Sequence, residues 1–391
     1  MKFLRQFPQG KKQRPVAYSL VDIGRDTVKA VVARTRPDAT EPEIIGSGVA
    51  ETGGHDITGG RLEAAAVTAP VNAALTQAED STEGIVGRKV VPDDVIFALT
   101  GRATVGKLFT VQQTRPKPAE PITAKELANL RARAERLVRQ GLANLPVEGG
   151  QWQALAVTDA GIRLNNHLVL DGLGLTGQEI SLSVFGVAGQ AGALRALQVL
   201  ANRLDLEVAN VVAASQALAA ITPQAEAIIL DTGLSGTDIC LIRDNALVAS
   251  GSTPFGGAFF TQTLAQALGI DLREAEKLKR SLASGNLTGL EADGVEAHLI
   301  GARCRWYDAV MEFLVALSGE KLLPRKIYLT GSGNLLPGLD KLLRANPAPF
   351  QRAPEVAWLG ANSLPAVKDL TNTLDYHLFT LTLSLIAGLP E

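Results

Sequence analysis

Cysteine, histidine and long apolar runs are scarce in this chain. Its 391 residues hold two cysteines and four histidines. Cys240 and Cys304 fall inside apolar segments with no metal-ligand spacing, so both read as core residues of a protein in a reducing, cytoplasmic compartment. His55, His167, His298 and His377 are scattered and form neither a zinc motif nor a nucleophile–base pair. No run approaches the roughly 18 to 20 apolar residues that a membrane-spanning helix requires. A dominant charge is lacking too: a net charge of −2 carries none of the electrostatic signature of a nucleic-acid binder. Neither G-x-x-x-x-G-K-[S/T] nor G-x-G-x-x-G follows a strand, which leaves P-loop and Rossmann cradles without their signatures.

The first 15 residues are basic but have no apolar stretch of the kind a secretory signal needs, so 1–15 reads as a solvated tail. Phe3, Leu4 and Phe7 beside Lys2, Arg5, Lys11, Lys12 and Arg14 offer at most a weak contact to an anionic membrane, because Pro8 limits any helix there to about two turns. Beyond the tail, 46% hydrophobic and 20% charged residues describe a folded globular chain, long enough for two or more domains.

A pattern is present twice. Residues 17–50 and 227–251 each begin with an apolar strand ending in Asp-x-Gly, at Asp22-Ile23-Gly24 and Asp231-Thr232-Gly233. Each continues through a polar turn holding Thr27 or Thr237, a second apolar strand (28–33, 239–242) and a third (44–49, 247–250). Phosphate binding is the chemistry such a turn serves. A glycine lets backbone N–H groups approach phosphate oxygens with no Cβ in the way, and the hydroxyls of Thr27, Ser235 and Thr237 add donors. An aspartate at the strand end repels a bare triphosphate and tolerates it only across a divalent cation. Asp22 and Asp231, one from each half, are therefore the candidates to hold hydrated Mg2+ over a cleft. Either hairpin alone is an ordinary Asp-Gly turn; recurrence in the same strand context favours phosphate loops.

These residues carry a family resemblance. Asp22-Ile23-Gly24 with Thr27-Val28-Lys29-Ala30 resembles the first phosphate motif of the actin, heat-shock chaperone and sugar kinase superfamily, and the run from Asp231 to Asp238 resembles its second. Pro254-Phe255-Gly256-Gly257 and the helix after it are similar to the stretch that follows this hairpin in FtsA and PilM. Leu329-Thr330-Gly331-Ser332-Gly333, continuing to Gly338, resembles the adenosine motif, and Glu276 and Lys279 stand where the family contacts adenosine. Residues 95–101, a charged helix over 127–145 and strands near 153–158 and 180–187 look like the small inserted domain of FtsA and PilM. Gly59-Gly60-Arg61-Leu62-Glu63, leading into a helix over 64–79, also resembles FtsA.

The resemblance implies an α/β fold of the actin type, two ribonuclease-H-like halves with a small α+β domain inserted in the first. It divides the chain into the tail, a first half (16–93, 186–221 and 372–391), the insert (94–185), a second half (222–260 and 319–371) and a helical subdomain (261–318). It implies ATP or ADP with Mg2+, bound by Gly24, Arg25, Thr27 and Lys29, by Gly233, Ser235, Gly236 and Thr237, by Gly256, Gly257, Glu276 and Lys279, and by Gly331, Ser332 and Gly333. Asp22 and Asp231 would serve the metal, and any catalysis, through metal-bound water. The function implied is an FtsA-type scaffold of bacterial cell division, polymerising and recruiting partners with nucleotide. A PilM-like component of type IV pilus assembly is the alternative within the branch. A sugar-kinase-like phosphotransferase is the alternative of another class, though no carboxylate over a polar substrate pocket is evident. Partners are then further copies in a filament, and a tubulin-like division protein or the cytoplasmic tail of a membrane protein, which places the chain in the cytoplasm at the inner face of the membrane. No nucleic acid is implied.

Three departures qualify the resemblance. Arg25 and Asp26 replace the small hydroxyl residues usual in the first turn. The segment 210–219 holds no Glu or Gln in register to position a hydrolytic water, Gln216 and Glu207 being only nearby, which predicts slow or absent hydrolysis. The sequence stops after an apolar segment instead of the linker and amphipathic helix of FtsA, which favours the pilus comparison. Elsewhere plain readings suffice. A helix over 271–283 should be capped by Asp271 with Glu274, bury Leu272, Ala275, Leu278 and Leu282, and leave Lys277, Lys279 and Arg280 in water. Arg131, Arg133, Arg136 and Arg139 read as a solvated helix face, with a groove for an acidic partner as the sharper alternative. Trp306, Phe313, Leu314 and Leu317 follow helical spacing and read as core.

Overall fold

The computed structural model describes residues 16–37, 39, 41–55, 64–145, 151–319, 321–360 and 367–389. The basic tail and the run from Gly59 to Glu63 lie outside the described residues.

The chain opens with three antiparallel strands, β1 (Val16–Ile23), β2 (Thr27–Thr35) and β3 (Glu43–Glu51), then α1 (Ala64–Val86) and β4 (Asp94–Leu99). Next come β5 (Thr104–Thr114), α2 (Ala124–Ala143), β6 (Trp152–Leu164), β7 (His167–Val169) and β8 (Glu179–Gln190). Helix α3 (Ala191–Arg203), β9 (Glu207–Ala213) and α4 (Ala214–Ala220) lead to a second trio, β10 (Ala227–Thr232), β11 (Thr237–Arg243) and β12 (Ala246–Thr253). Three helices follow, α5 (Gly257–Leu268), α6 (Leu272–Ala283) and α7 (Gly289–Ser318). The chain then runs through β13 (Lys326–Thr330), α8 (Leu339–Ala345), β14 (Glu355–Trp358), β15 (Lys368–Asp369) and α9 (Tyr376–Ser384).

The duplication read from sequence is a duplication of topology. One sheet has the order β15-β3-β2-β1-β4-β9, and within the other the order β12-β11-β10-β13-β14 repeats the last five of these. In both, the first strand pairs antiparallel with its hairpin partner and parallel with a later strand, β1 with β4 and β10 with β13. Strands β1, β4 and β10 are buried on both faces, as central strands of largely parallel sheets must be. Helices α4 and α9 lie between the two sheets, where Leu218, Leu381 and Leu385 share a core with Leu20, Ile96, Ile229 and Tyr328. Helix α1 covers the outer face of the first sheet, and α5 and α7 that of the second.

Residues 104–190 make an antiparallel sheet of β5-β8-β6-β7, with α2 packed on one face through Leu130, Ala134, Val138 and Leu142. Thr123 caps α2 by accepting the Glu126 amide. This sheet joins β12 through the pair Ser250↔Gly106.

Several expectations need correction. Asp94–Leu99 pairs with β1 and β9 and so belongs to the first sheet, not to the insert, and Lys368–Asp369 pairs with β3 instead of lying in the second half. Cys240 is buried but Cys304 is exposed, because its position on α7 turns away from the core that Arg303 and Trp306 face. Leu272 and Leu317 are exposed for the same reason, at the ends of the buried stripes of their helices. Lys279, expected in water as a charged residue, is buried, on the stripe of Ala275 and Leu282.

Candidate functional site

The two Asp-x-Gly turns face each other across a cleft of about 840 Å3 between the halves. They close identically: Gly24 N–H donates to Thr27 O (3.1 Å), and Gly233 N–H to Gly236 O (2.9 Å). Those two amides are thus engaged, and the apex residues Arg25, Asp26, Leu234 and Ser235 line the cleft. Gly24, Thr27, Lys29, Gly233 and Gly236 line it too, and so do Gly331 and Ser332 from the end of β13.

One of the pairs at which the two hairpins differ sets the charge of the cleft. In the β1–β2 hairpin Asp22 sits opposite Lys29, and the two form an ion pair of 3.1 Å. In the β10–β11 hairpin Asp231 sits opposite Asp238. Three carboxylates and one lysine therefore line the cleft at these pairs. Burial, then the carboxylates of Asp238 and Asp22, push Asp231 up to about 7, with Lys29 opposing. Burial raises Asp238 to about 6, although the Gly101 N–H donates to its Oδ2 at 2.9 Å. Deprotonated, the cleft carries an excess of negative charge that a divalent cation would neutralise. Among the described residues no group of three or more His, Cys, Asp or Glu is placed to ligate a metal directly. The donor set thus fits a hydrated ion held through its waters, as Mg2+ prefers.

The side chains of Arg25 and Asp26, the departures in the first turn, are both engaged within the protein. Arg25 Nε donates to Gly54 O at 3.0 Å. Both oxygens of Asp26 accept from Arg280 Nη2, each at 3.0 Å, so the first turn is tied to α6 on the opposite side of the cleft. Arg280 in turn bonds Glu276 Oε1 at 2.8 Å.

Some expected nucleotide contacts are internal braces instead. Thr237 is fully buried; its Oγ1 donates to Phe255 O (2.7 Å) and accepts from Trp306 Nε1 (2.9 Å), so it does not face the cleft. A Cβ on Gly256 would lie 2.5 Å from Gly236 N and 2.6 Å from Gly233 O, so the chain there passes directly beneath the second turn. The amides of Gly257 and Ala258 at the start of α5 donate to Gly233 O and Leu234 O, both at 2.9 Å. Lys279 Nζ, held below its usual value by burial, donates to Gly257 O (2.9 Å), Thr261 Oγ1 (2.8 Å) and Glu276 Oε2 (2.7 Å). Glu276 and Lys279 thereby pin α6 to α5 and do not line the cleft. Gly333 also stands back from the lining, packed on Thr232. Gly331 also makes a close approach: its φ is 82°, and a Cβ would fall 2.3 Å from Asp231 Oδ1 and 2.5 Å from Thr232 O. Asn334 secures that turn, donating to Leu230 O (2.9 Å) and Thr330 O (2.6 Å).

Sequence reasoning missed Asp238, the Thr100-Gly101-Arg102 corner, Gln190, and His377, Leu378 and Leu381 of α9, all of which line the cleft. Gln190 ends β8 at the start of α3; its Nε2 donates to Arg102 O (3.2 Å), while its Oε1 is buried with no partner among the described residues. Gln216, by contrast, sits on α4 and outside the cleft lining.

No protein-family model matches the chain, and no curated protein matches it by sequence. Solved structures do match, over nearly its whole length. A PilM–PilN type IV pilus biogenesis complex is similar at 18% identity and a TM-score of 0.64, over 96% of this chain and 99% of that one. The ethanolamine utilization protein EutJ from Carboxydothermus hydrogenoformans is similar at 13% identity and a TM-score of 0.51, over 96% and 90%. A diol dehydratase-reactivating factor in nucleotide-free form is similar at 12% identity and a TM-score of 0.53, over 95% and 99%. These likenesses show the fold, which is the actin-like ATPase fold in mixed α/β form; they do not distinguish the FtsA branch from its relatives. No described helix is long and apolar enough to cross a membrane.

Proposed function

We propose that the chain is a nucleotide-binding scaffold of the actin-like type, which takes ATP or ADP with hydrated Mg2+ in the cleft. The observation that carries this reading is the pair of identically closed Asp-x-Gly turns facing each other, with Asp22 and Asp231 at their bases. Phosphates would lie against the apex amides, the cation between the two aspartates through its waters, and the nucleoside toward Gly331 and Ser332. Bound nucleotide then draws the halves together, and the closed form associates with further copies and with partners. Of the two kinds of partner, the pilus type is favoured over the division type, since the likeness to the PilM–PilN complex runs the length of both chains. Gln190, which lines the cleft, offers a polar side chain for a hydrolytic water that the 210–219 segment lacks. Turnover, where it occurs, serves the conformational cycle.

The test is equilibrium binding of labelled ATP with and without Mg2+, run beside a phosphate-release assay. Magnesium-dependent binding is expected, with slow release that Gln190→Ala abolishes while binding persists. Absence of binding at millimolar ATP would sink the reading.

A further inference from the structure

β5 is an edge strand over most of its length. It pairs with β8 from Thr104 to Thr114, whereas on its other side the described residues supply one pair, Ser250↔Gly106. From Lys107 onward, alternate backbone N–H and C=O groups therefore face an open side. Exposed edges are commonly blunted by proline, a bulge or a covering element; β5 contains no proline, and its register with β8 is unbroken.

Along that edge runs a groove of about 410 Å3, lined by Thr110, Val111 and Gln112 of β5 and by Arg133, Arg136 and Leu137 of α2. Positions 133, 136 and 137 share one face of the helix. No carboxylate lines the groove. Arg133 donates to Gln113 Oε1 at 2.9 Å, and Arg136 has no hydrogen bond or ion pair among the described residues. Glu135 is engaged by Arg139 at 3.6 Å. Two like charges three residues apart repel, so the helix carries a local cost that an anion would relieve.

We infer that this groove takes an extended acidic peptide of a partner, which adds to β5 as a strand, sets carboxylates against Arg133 and Arg136, and lays an apolar side chain on Leu137. The two features select the same ligand. Unpaired N–H and C=O groups require a backbone carrying both acceptors and donors, which a phosphate chain or a lipid surface does not offer. Residues i and i+2 of a strand point to one face about 6 to 7 Å apart, close to the spacing of side chains three apart on a helix. An acid-x-acid pattern thus matches the two arginines. The inference rests on the scaffold reading only in giving this surface a partner, and none of its residues lines the nucleotide cleft.

Fluorescence anisotropy on the full chain tests it. The probes are a fluorescein-labelled peptide DTETVTDT, the same peptide N-methylated on one ladder edge or on the other, its basic counterpart KTKTVTKT, an oligo-dT and anionic phosphatidylglycerol vesicles. Saturable binding of the acidic peptide is expected, about tenfold weaker for Arg133→Glu/Arg136→Glu, lost on N-methylation of the edge that faces β5, and weakened by salt. Equal binding by the double variant or by both N-methylated forms overturns the inference. So does failure of the acidic peptide to bind at about 1 mM, or stronger binding of the oligonucleotide or vesicles. ATP binding is measured on the same samples. Its retention in the double variant shows an intact fold, and its absence in the wild type beside normal peptide binding sinks the nucleotide reading alone.

Discussion

Replacing Asp231 by asparagine should stabilise the nucleotide-free protein at alkaline pH while removing its magnesium-dependent binding. The Asp231 carboxyl rises from 3.8 to about 7 on folding, through burial and then the neighbouring Asp238 and Asp22. An acid raised in this way keeps its proton longer in the folded chain than in the unfolded one. Its contribution to stability is therefore fullest below pH 3.8, is lost as pH rises toward 7, and is constant above that. At about 1.4 kcal/mol per pH unit, the wild type loses about 2 to 3 kcal/mol between pH 5 and pH 8 that the asparagine variant keeps. Urea unfolding of both proteins in EDTA across that range measures the gap, which should widen with pH and level off near 7. Magnesium uptake requires the ionised form, so the wild type's Mg-ATP affinity should rise over the same interval and the variant's should not. A stability gap that ignores pH, or a variant that still binds ATP only with magnesium, would refute the placement of the cation.

Two further substitutions separate bracing from binding. Gly331→Ala should cost about 2 to 4 kcal/mol in chemical denaturation, since its Cβ would meet Asp231 and Thr232 at a positive φ; an unchanged midpoint would contradict that close approach. Lys279→Met should cost about 2 to 4 kcal/mol by stranding the half-buried Glu276, with partial recovery in Lys279→Met/Glu276→Gln. Loss of ATP affinity at unchanged stability would instead return Lys279 to the nucleoside contact expected from the sequence.

The duplicated hairpins were legible because everything that makes them is local: a strand, an Asp-x-Gly turn, a returning strand. The membership of Asp94–Leu99 was also within reach, since five consecutive buried apolar residues without alternation mark a central strand of a parallel sheet, not the half-exposed strand of a small insert. Lys279 was not legible. Its charge groups it with Lys277 and Arg280 although its spacing from Ala275 and Leu282 puts it on the buried stripe, and the groups that satisfy its ammonium, Gly257 O and Thr261, come from another helix. Asp238 stood in the quoted motif, but its meaning depends on register, which puts it opposite Asp231 where the first hairpin has Lys29. Gln190 and His377 reach the cleft from elements far apart in the chain, and no spacing rule connects them.

The contact between Asp26 and Arg280 joins positions 254 residues apart, so on the proposed cycle the mouth of the cleft would change its charge as the halves part. Shut, the first turn is neutral at its apex, because the carboxylate that replaces the usual hydroxyl is matched by a guanidinium. Parted, the same turn would show a bare anion to an incoming polyphosphate, while Arg280 on α6 would stay paired with Glu276. A ligand would therefore meet repulsion at the first turn, and not on the helical side, until the halves come together. The pair is exposed, so salt should weaken this asymmetry and narrow the difference between catching a nucleotide and keeping it.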